Sequence, residues 1–433
     1  MIGVVPIQSG ISILTWGIMP ANSHARLQMN QDYDVLIVGG GMVGATLACA
    51  LGNSNLRVGL LEENPPQAFE PDQPHDLRVS AVSVASANIL KTVGAWSGIA
   101  QRRLCPYRRM RVWEEGGDVE FCSDEINEPV LGHIVENRII QLAVLERAKA
   151  FDNVELVSGI KTTSVRYDPA GSSVTLEDGR VLKGRLLVAA DGGFSRVRQA
   201  AGMGVSGWDY EQHALVLTVD TASPQQDITW QRFTPQGPQA LLPLDGPHAS
   251  LVWYSTPEEV GRLKSLSDED LLLALEQAFP ACLGEVTKIT ARGSFPLRRQ
   301  HALRYIKSGV ALIGDAAHMI HPLAGQGVNI GLLDAAALAE VLVGAARAGE
   351  DVGSEAVLGR YESMRRKNNL LMMTVMDAFY RAFGNTHAPL RIMRNLGLVL
   401  AERLKPAKKM AMSYAMGISG TLPRLAQGEA LLG

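Results

Sequence analysis

Cysteine is scarce. The four in 433 residues, Cys49, Cys105, Cys122 and Cys282, form no C-x-x-C pair. That argues against a disulfide framework or a thiolate zinc site, and it fits a reducing compartment. Charge of one sign is lacking too. The formal net charge is −3, so there is no electrostatic footprint for nucleic acid. Beyond residue 31 no window reads as a clean run of about 20 apolar residues, the length a membrane-crossing helix needs. There is no internal repeat and no low-complexity tract. What remains is ordinary globular material, 46% apolar and 20% charged, in a chain long enough for two or three units with a well-buried core.

Residues 1–31 carry one oddity. Met1 to Met19 is apolar and Ala21–Ala25 loosely resembles a cleavage region, yet no Lys or Arg precedes the apolar part, as a signal peptide requires. The expectation is an over-extended start, with Met19 or Met29 as the working initiator.

Asp34–Val38 is a β-branched apolar run stopped by three glycines, the pattern of a buried parallel strand. Met42–Asn53 predicts a helix, and Val58–Glu62 a second strand ending in an acid, which completes a β-α-β unit. Pro65–Pro74 is a proline-rich connection. Val82–Val93 and Arg138–Ala150 read as helices, Val154–Val157 and Val174–Leu176 as strands, and Asp178-Gly179 as a hairpin turn. From Trp208 to Phe295 short alternating runs, among them His213–Asp220, Ile228–Phe233 and Ala249–Tyr254, predict an inserted antiparallel sheet. Within it, Ser267–Phe279 predicts an amphipathic helix capped by Ser267. After Gly331 the pattern is mostly helical.

Three segments carry chemistry. Gly39-Gly40-Gly41-Met42-Val43-Gly44 is a G-x-G-x-x-G between strand and helix, with Glu62 about 20 residues on, the arrangement that binds a dinucleotide. Leu186–Arg198 runs a buried strand into Asp191-Gly192 and a helix start. Asp191-Gly192 alone is an ordinary turn. Ser195 reads as a helix cap and not a nucleophile, since no G-x-S-x-G surrounds it. Gly314–Asn329, GDAAHMIHPLAGQGVN, sets a strand-tip Asp315 beside a Pro-x-x-Gly-x-Gly loop that opens a helix. Such a loop presents bare amides and a positive dipole end to an electron-rich group. His318 and His321 form a His-x-x-His without a Glu partner, so packing or hydrogen bonding outranks metal binding.

In this order and spacing the three segments resemble the fingerprints of the single-component FAD-dependent aromatic hydroxylases, the group containing para-hydroxybenzoate hydroxylase, from about Asp34 to Glu340. Leu77–Ala81, Cys105–Arg109 with Val112–Glu114, Leu131–Asn137 and His321–Asn329 are similar to the ubiquinone-biosynthesis hydroxylase family. Gln231–Pro235, Ser250–Tyr254 and Met393–Leu398 look closest to its branch acting on 2-polyprenyl-3-methyl-6-methoxy-1,4-benzoquinol. The resemblance covers nearly everything after Asp32.

It implies an α/β (α+β) fold: a Rossmann-like FAD-binding domain in two parts, 32–207 (with substrate-side segments near 104–132) and 297–345. An antiparallel-sheet substrate domain at 208–296 lies between them, and a helical C-terminal region, 346–433, follows. Gly39, Gly41 and Gly44 would cradle the FAD pyrophosphate, with Met42 beside them, and Glu62 would hold the adenosine ribose. Arg78 and Asn137 fall where the family contacts the diphosphate and ribityl region. From the residues alone, Arg78 reads equally as a surface salt-bridge residue and Asn137 as a helix-start residue. Asp191 and Gly192 would lie near the adenine or pyrophosphate. Asp315 would bind the ribityl chain, and Gly325, Gln326, Gly327, Val328 and Asn329 would line the flavin. His321 and Pro322 are pocket candidates; no residue reads as an obligatory acid or base.

The implied activity is ring hydroxylation of a polyprenyl quinol through a flavin C4a-hydroperoxide, with O2 as co-substrate and NAD(P)H or another electron donor as reductant. There is no second G-x-G-x-x-G for a separate nicotinamide domain. The implied setting is cytoplasmic and peripheral on the inner membrane, with other quinone-biosynthesis proteins as partners and a homo-oligomer compatible. Leu390–Leu404, then Lys405, Lys408, Lys409, Met410, Met412, Tyr414 and Met416, mix basic and apolar residues and read either as a membrane-docking surface or as a helix packed on the protein itself. The competing readings are a flavin hydroxylase of a small soluble aromatic compound, a flavin reductase acting on a prenyl chain, and a membrane-associated assembly subunit retaining FAD.

Overall fold

The computed structural model describes residues 32–114, 117–280, 284–320, 327–383, 408, 412, 416–417 and 421–432. The expectations on residues 1–31 lie outside them. Strand Tyr33–Val38 sits at the centre of an eight-stranded sheet, parallel to Val58–Glu62 on one side and to Val181–Ala189 on the other. Val154–Ser158 extends the sheet beyond Val58–Glu62, and Val310–Leu312 pairs in parallel with Val181–Ala189. Consecutive residues Val35, Leu36 and Ile37 are fully buried, because both faces of the strand are covered. That is why this run is apolar throughout and does not alternate. The parallel register places Gly39, Glu62, Ala190 and Gly314 at one rim, the carboxyl ends of their strands, where open α/β sheets bind ligands. The Asp178-Gly179 turn joins antiparallel strands Ser172–Leu176 and Val181–Ala189, with Gly179 at φ +86°.

The second sheet is antiparallel in its main part and also has eight strands. Its long members, Val205–Thr221 and Val286–Ala302, begin or end beyond 208–296, and Arg109–Glu114 and Gly117–Cys122 join its edge. One face carries Leu215, Leu217, Val219, Leu241 and Leu251. It is covered by helices Pro257–Ser265 and Asp268–Ala278 through Val260, Leu263, Leu271 and Leu275. The predicted Ser267 cap is present: its side chain accepts from the Asp270 N–H at 3.1 Å. The opposite face presents Val216, Val252, Gly293 and Phe295, paired in register. Leu77 abuts Gly293, and the Arg78 guanidinium lies over the Phe295 ring, 5.5 Å from its centroid. This face therefore looks toward the cofactor-side layer.

A three-stranded sheet, Val79–Ser83 with Gly132–Glu136 and Cys105–Tyr107, lies near that junction. Here one expectation is corrected. The predicted helix Val82–Val93 begins at Val84, because Val82 and Ser83 end a strand and Ser83 then caps the helix. Helix Gly327–Arg347 is long and apolar enough to cross a membrane by length and composition, unlike anything read from the sequence. It is instead a core helix, mostly buried inside the protein. A 29-residue helix, Glu355–Phe383, follows it. Of the proposed docking tail, Leu390–Leu404, Lys405, Lys409, Met410 and Tyr414 lie outside the described residues. Lys408, Met412 and Met416 are buried, Lys408 paired with Glu125 at 3.0 Å and both methionines in an apolar cluster with Leu242 and Leu244. These three residues face the protein itself.

Candidate active site at the carboxyl ends of the parallel strands

The three sequence motifs lock into one another. Gly39 adopts φ +107°, and a Cβ there would meet the Ala190 carbonyl at 2.3 Å, so the first turn is pressed against the end of the second motif's strand. Gly44 needs the same smallness, its Cβ falling 2.0 Å from the Gly39 carbonyl. Val43, between them, packs against Gly314 of the third motif and against Gly331 in the helix that the motif opens. Buried Arg198 closes the ring. It donates to the Gly193 carbonyl and to the Ala316 carbonyl, both at 2.8 Å, which joins the second motif to the third.

Around this ring the cofactor candidates divide into those with open polar groups and those already engaged. Gly41 has nothing within 4 Å of its Cβ position, and as N-cap of helix Met42–Ala50 it supplies no side-chain cap. The helix's first amides thus meet open space at a positive dipole end. Glu62 is half-buried, and burial pushes its carboxyl up against the hydrogen bonds that favour ionisation. Gln141 donates from one nitrogen to both Glu62 Oε2, 3.2 Å, and the Gly40 carbonyl, 3.1 Å. Asp315 is exposed, and has no hydrogen-bond or ion-pair partner among the described residues. The surrounding protein nevertheless raises its carboxyl above the ordinary range, against the pull of His318 and Arg78. Asp315 thus stands exposed at the strand-tip rim, where open α/β sheets bind ligands. Uncapped amides, glycines that admit no Cβ and an exposed acid with no partner among the described residues are what an anionic dinucleotide with hydroxyl-bearing chains requires, so the residues present fit FAD.

Arg78 and Asn137 come together: the Asn137 N–H donates to the Arg78 carbonyl at 3.0 Å, and Asn137 Oδ1 accepts from Ser80 at 2.7 Å. Arg78 is exposed and forms no ion pair among the described residues. Asn137 does open a helix, Asn137–Ala148. Asp191 accepts from the Arg196 and Val197 amides at 2.7 and 3.3 Å, capping a short helix together with Ser195. Gly192 is at φ +79° in that turn. Asn329 is buried, and its side chain bridges the Ser83 N–H (3.0 Å) and the Ala81 carbonyl (2.8 Å). Gly327 and Val328 begin the core helix. His321, Pro322, Gly325 and Gln326 lie outside the described residues.

His318 is a buried structural histidine. Its Nε2 contacts Asp334, which is fully buried and also accepts from Arg365 Nε (2.9 Å), Asn369 (2.9 Å) and the Gly314 N–H (3.3 Å). Burial opposes ionisation of Asp334, but His318 and Arg365 outweigh it and hold the carboxyl at about 2. No cluster able to hold a metal exists among the described residues. Sequence reasoning missed Gln141, Asp334, Arg365 and Asn369. The one available signal was helical spacing: Gln141 lies one turn beyond Asn137, and Asp334 one turn beyond Gly331.

Comparison with known proteins decides the family. A model described as FAD binding domain matches residues 32–376. The 3-demethoxyubiquinol 3-hydroxylase of Escherichia coli is 44% identical over 90% of this chain and 100% of its own length. The chain belongs to the FAD-dependent ubiquinone-biosynthesis monooxygenases. The ubiquinone hydroxylase UbiL of Rhodospirillum rubrum is 40% identical over 92% of this chain and 93% of that protein. Among solved structures, a probable FAD-dependent monooxygenase of Pseudomonas aeruginosa, PqsL, superposes with a TM-score of 0.70 at 26% identity, covering 82% of this chain and 97% of the other. This monooxygenase therefore has the α/β fold with parallel and antiparallel sheets that its sequence implied.

Proposed function

We propose that this monooxygenase hydroxylates the ring of a polyprenyl quinol, and that the finer substrate is a 2-polyprenyl-3-methyl-6-methoxy-1,4-benzoquinol. The Escherichia coli relative, matched along its whole length, is a 3-hydroxylase of a demethoxyubiquinol, which supports that choice. The observation that carries the reading is the convergence of three motifs on one rim, with Asp315 unpartnered there among the described residues and an apolar sheet face opposite.

FAD, when bound, supplies the activation of O2 that no side chain of this protein can supply. The first amides of helix Met42–Ala50, at Gly41 and Met42, hold the pyrophosphate, and Glu62, steadied by Gln141, holds the adenosine ribose. Asp191 and Gly192 shape the turn beside them. Asp315 binds the ribityl hydroxyls, flanked by Arg78 and Asn137. The amides of Gly327, Val328 and Asn329, at the start of the core helix, would set a positive helix end against the electron-rich edge of the flavin, and Gly325 and Gln326 precede them in the sequence. Val216, Val252 and Phe295 receive the quinol ring and exclude water. No side chain is assigned as acid or base, and His321 and Pro322, the pocket candidates of the sequence, lie outside the described residues. NAD(P)H or another donor supplies electrons. A bilayer-soluble polyprenyl tail supports a peripheral position on the inner membrane for an enzyme read as cytoplasmic.

The test is complementation of strains blocked at each quinone-ring hydroxylation, with intermediates read by mass spectrometry. Rescue of the demethoxyubiquinol block, lost with Gly41→Asp, is the expected result. Rescue that survives Gly41→Asp, or rescue of a different ring position alone, would overturn the proposal.

A further inference from the structure

Asp315 is the strand-tip acid, and its backbone is pinned on both sides by buried charges of opposite sign. On the amino side, Asp334 Oδ2 accepts the Gly314 N–H at 3.3 Å. On the carboxyl side, the Arg198 guanidinium donates to the Ala316 carbonyl at 2.8 Å. A carboxylate thus takes the N–H pole of the turn and a guanidinium takes its C=O pole. Gly314 has φ +58°, and its Cα lies 3.2 Å from the Cβ position of Gly331, one helical turn before Asp334. The turn therefore has little freedom to tilt.

Asp334 does not stand alone. Arg365 and Asn369, one turn apart on helix Glu355–Phe383, both donate to its Oδ1, and Arg365 also donates to Asn369 Oδ1 at 2.7 Å. Two turns further along that helix, roughly 12 Å by helical rise, Asp377 pairs with Arg299 at 2.5 Å and accepts from Tyr210, both on strands of the antiparallel sheet. One helix is thus anchored to the cofactor-side turn and to the sheet opposite it.

We infer that Asp334 is a positioning residue for the cofactor. By holding the Gly314 amide, and being held by Arg365 and Asn369, it fixes where the Asp315 carboxylate stands at the strand-tip rim. This rests on the reading that this rim holds FAD. The group that acts is Asp315, and Asp334 reaches the cofactor only through it. Replacing the carboxylate by an amide puts an N–H where His318 and Gly314, or Arg365 and Asn369, already donate, so the turn loses an acceptor it cannot replace.

The experiment titrates apoprotein with FAD, following flavin fluorescence and the visible absorption band, at a temperature well below the melting point of each variant. Wild type comes first: no uptake of FAD would overturn the parent reading and this one together. Given wild-type binding, Asp334→Asn should raise the Kd for FAD about tenfold and shift the band of the flavin that still binds. Leu275→Ala, which opens a cavity on the far face of the antiparallel sheet, should lower the melting temperature and leave both flavin readouts unchanged. If Asp334→Asn does not fold, Asn369→Ala, which keeps the charge and removes one donor, should raise the Kd about threefold. Wild-type Kd and spectrum in folded Asp334→Asn, or in Asn369→Ala where the former does not fold, would overturn the inference.

Discussion

A Cβ placed on Gly331 would lie 2.7 Å from Cγ2 of Val43. The core helix and the glycine-loop helix therefore meet at a residue that can have no side chain, although Gly331 sits inside a helix, in its second turn, where alanine would otherwise be preferred. Gly331→Ala should destabilise the protein by about 1–3 kcal/mol through overpacking. Gly344→Ala on the same helix, where nothing lies within 4 Å, should instead gain up to about 1 kcal/mol. Urea unfolding of the two variants checks this. Equal effects would remove the packing argument.

Gly41 gives the converse case. Its Cβ position is empty to 4 Å and its φ of −65° suits any residue. Gly41→Ala should change apoprotein stability by less than about 1 kcal/mol and yet weaken FAD binding by about tenfold or more, because the open space is where the cofactor's pyrophosphate must approach. Thermal melts of apoprotein beside FAD titrations separate the two effects. An unchanged Kd would refute a pyrophosphate site at this turn.

Arg78 combines exposure, a ring contact to Phe295 and proximity to Asp315. Arg78→Gln should weaken FAD binding while leaving apoprotein stability within about 0.5 kcal/mol, as for other exposed positions. A large loss of stability with normal FAD affinity would mark Arg78 as structural.

Acid sensitivity follows from buried imidazoles. Burial pushes His75, His133 and His301 each down to about 4, whereas an unfolded histidine titrates near about 6.5. Between these values the unfolded chain binds more protons than the folded one. Stability is therefore full above about 6.5, falls as pH drops through the window, and levels off near about 4. His133→Asn should flatten the loss over that range by on the order of 1 kcal/mol, read from urea midpoints at a series of pH values. A parallel curve would show that His133 does not titrate in this window.

The β-α-β unit, the Asp178-Gly179 hairpin and the Ser267-capped helix were all readable from the chain, because each rests on propensities and hydrogen bonds within a few residues. The switch from continuous to alternating apolar runs marked the second sheet for the same reason: it follows directly from covering a strand on two faces or on one. Where the reading failed, the deciding partner was remote. Val82 and Ser83 read as helix, yet pairing with His133 and Gly132 makes them strand, and Asn329, 246 residues from Ser83, takes the Ser83 N–H. The core helix Gly327–Arg347 has the composition of a membrane span, and only its packing makes it an interior element.

By itself, then, the amino-acid order determined the local conformations and the presence of three cofactor-type turns, because glycine, proline and capping residues act on their own neighbourhood. The tertiary structure alone decided that Arg198 reaches Ala316, that Val43 fits Gly331, and that Asp334 gathers His318, Arg365 and Asn369 around the Gly314 amide. Those choices depend on burial, which makes an unpaired charge or a misplaced methyl costly, and burial between distant segments leaves no periodic trace in a sequence.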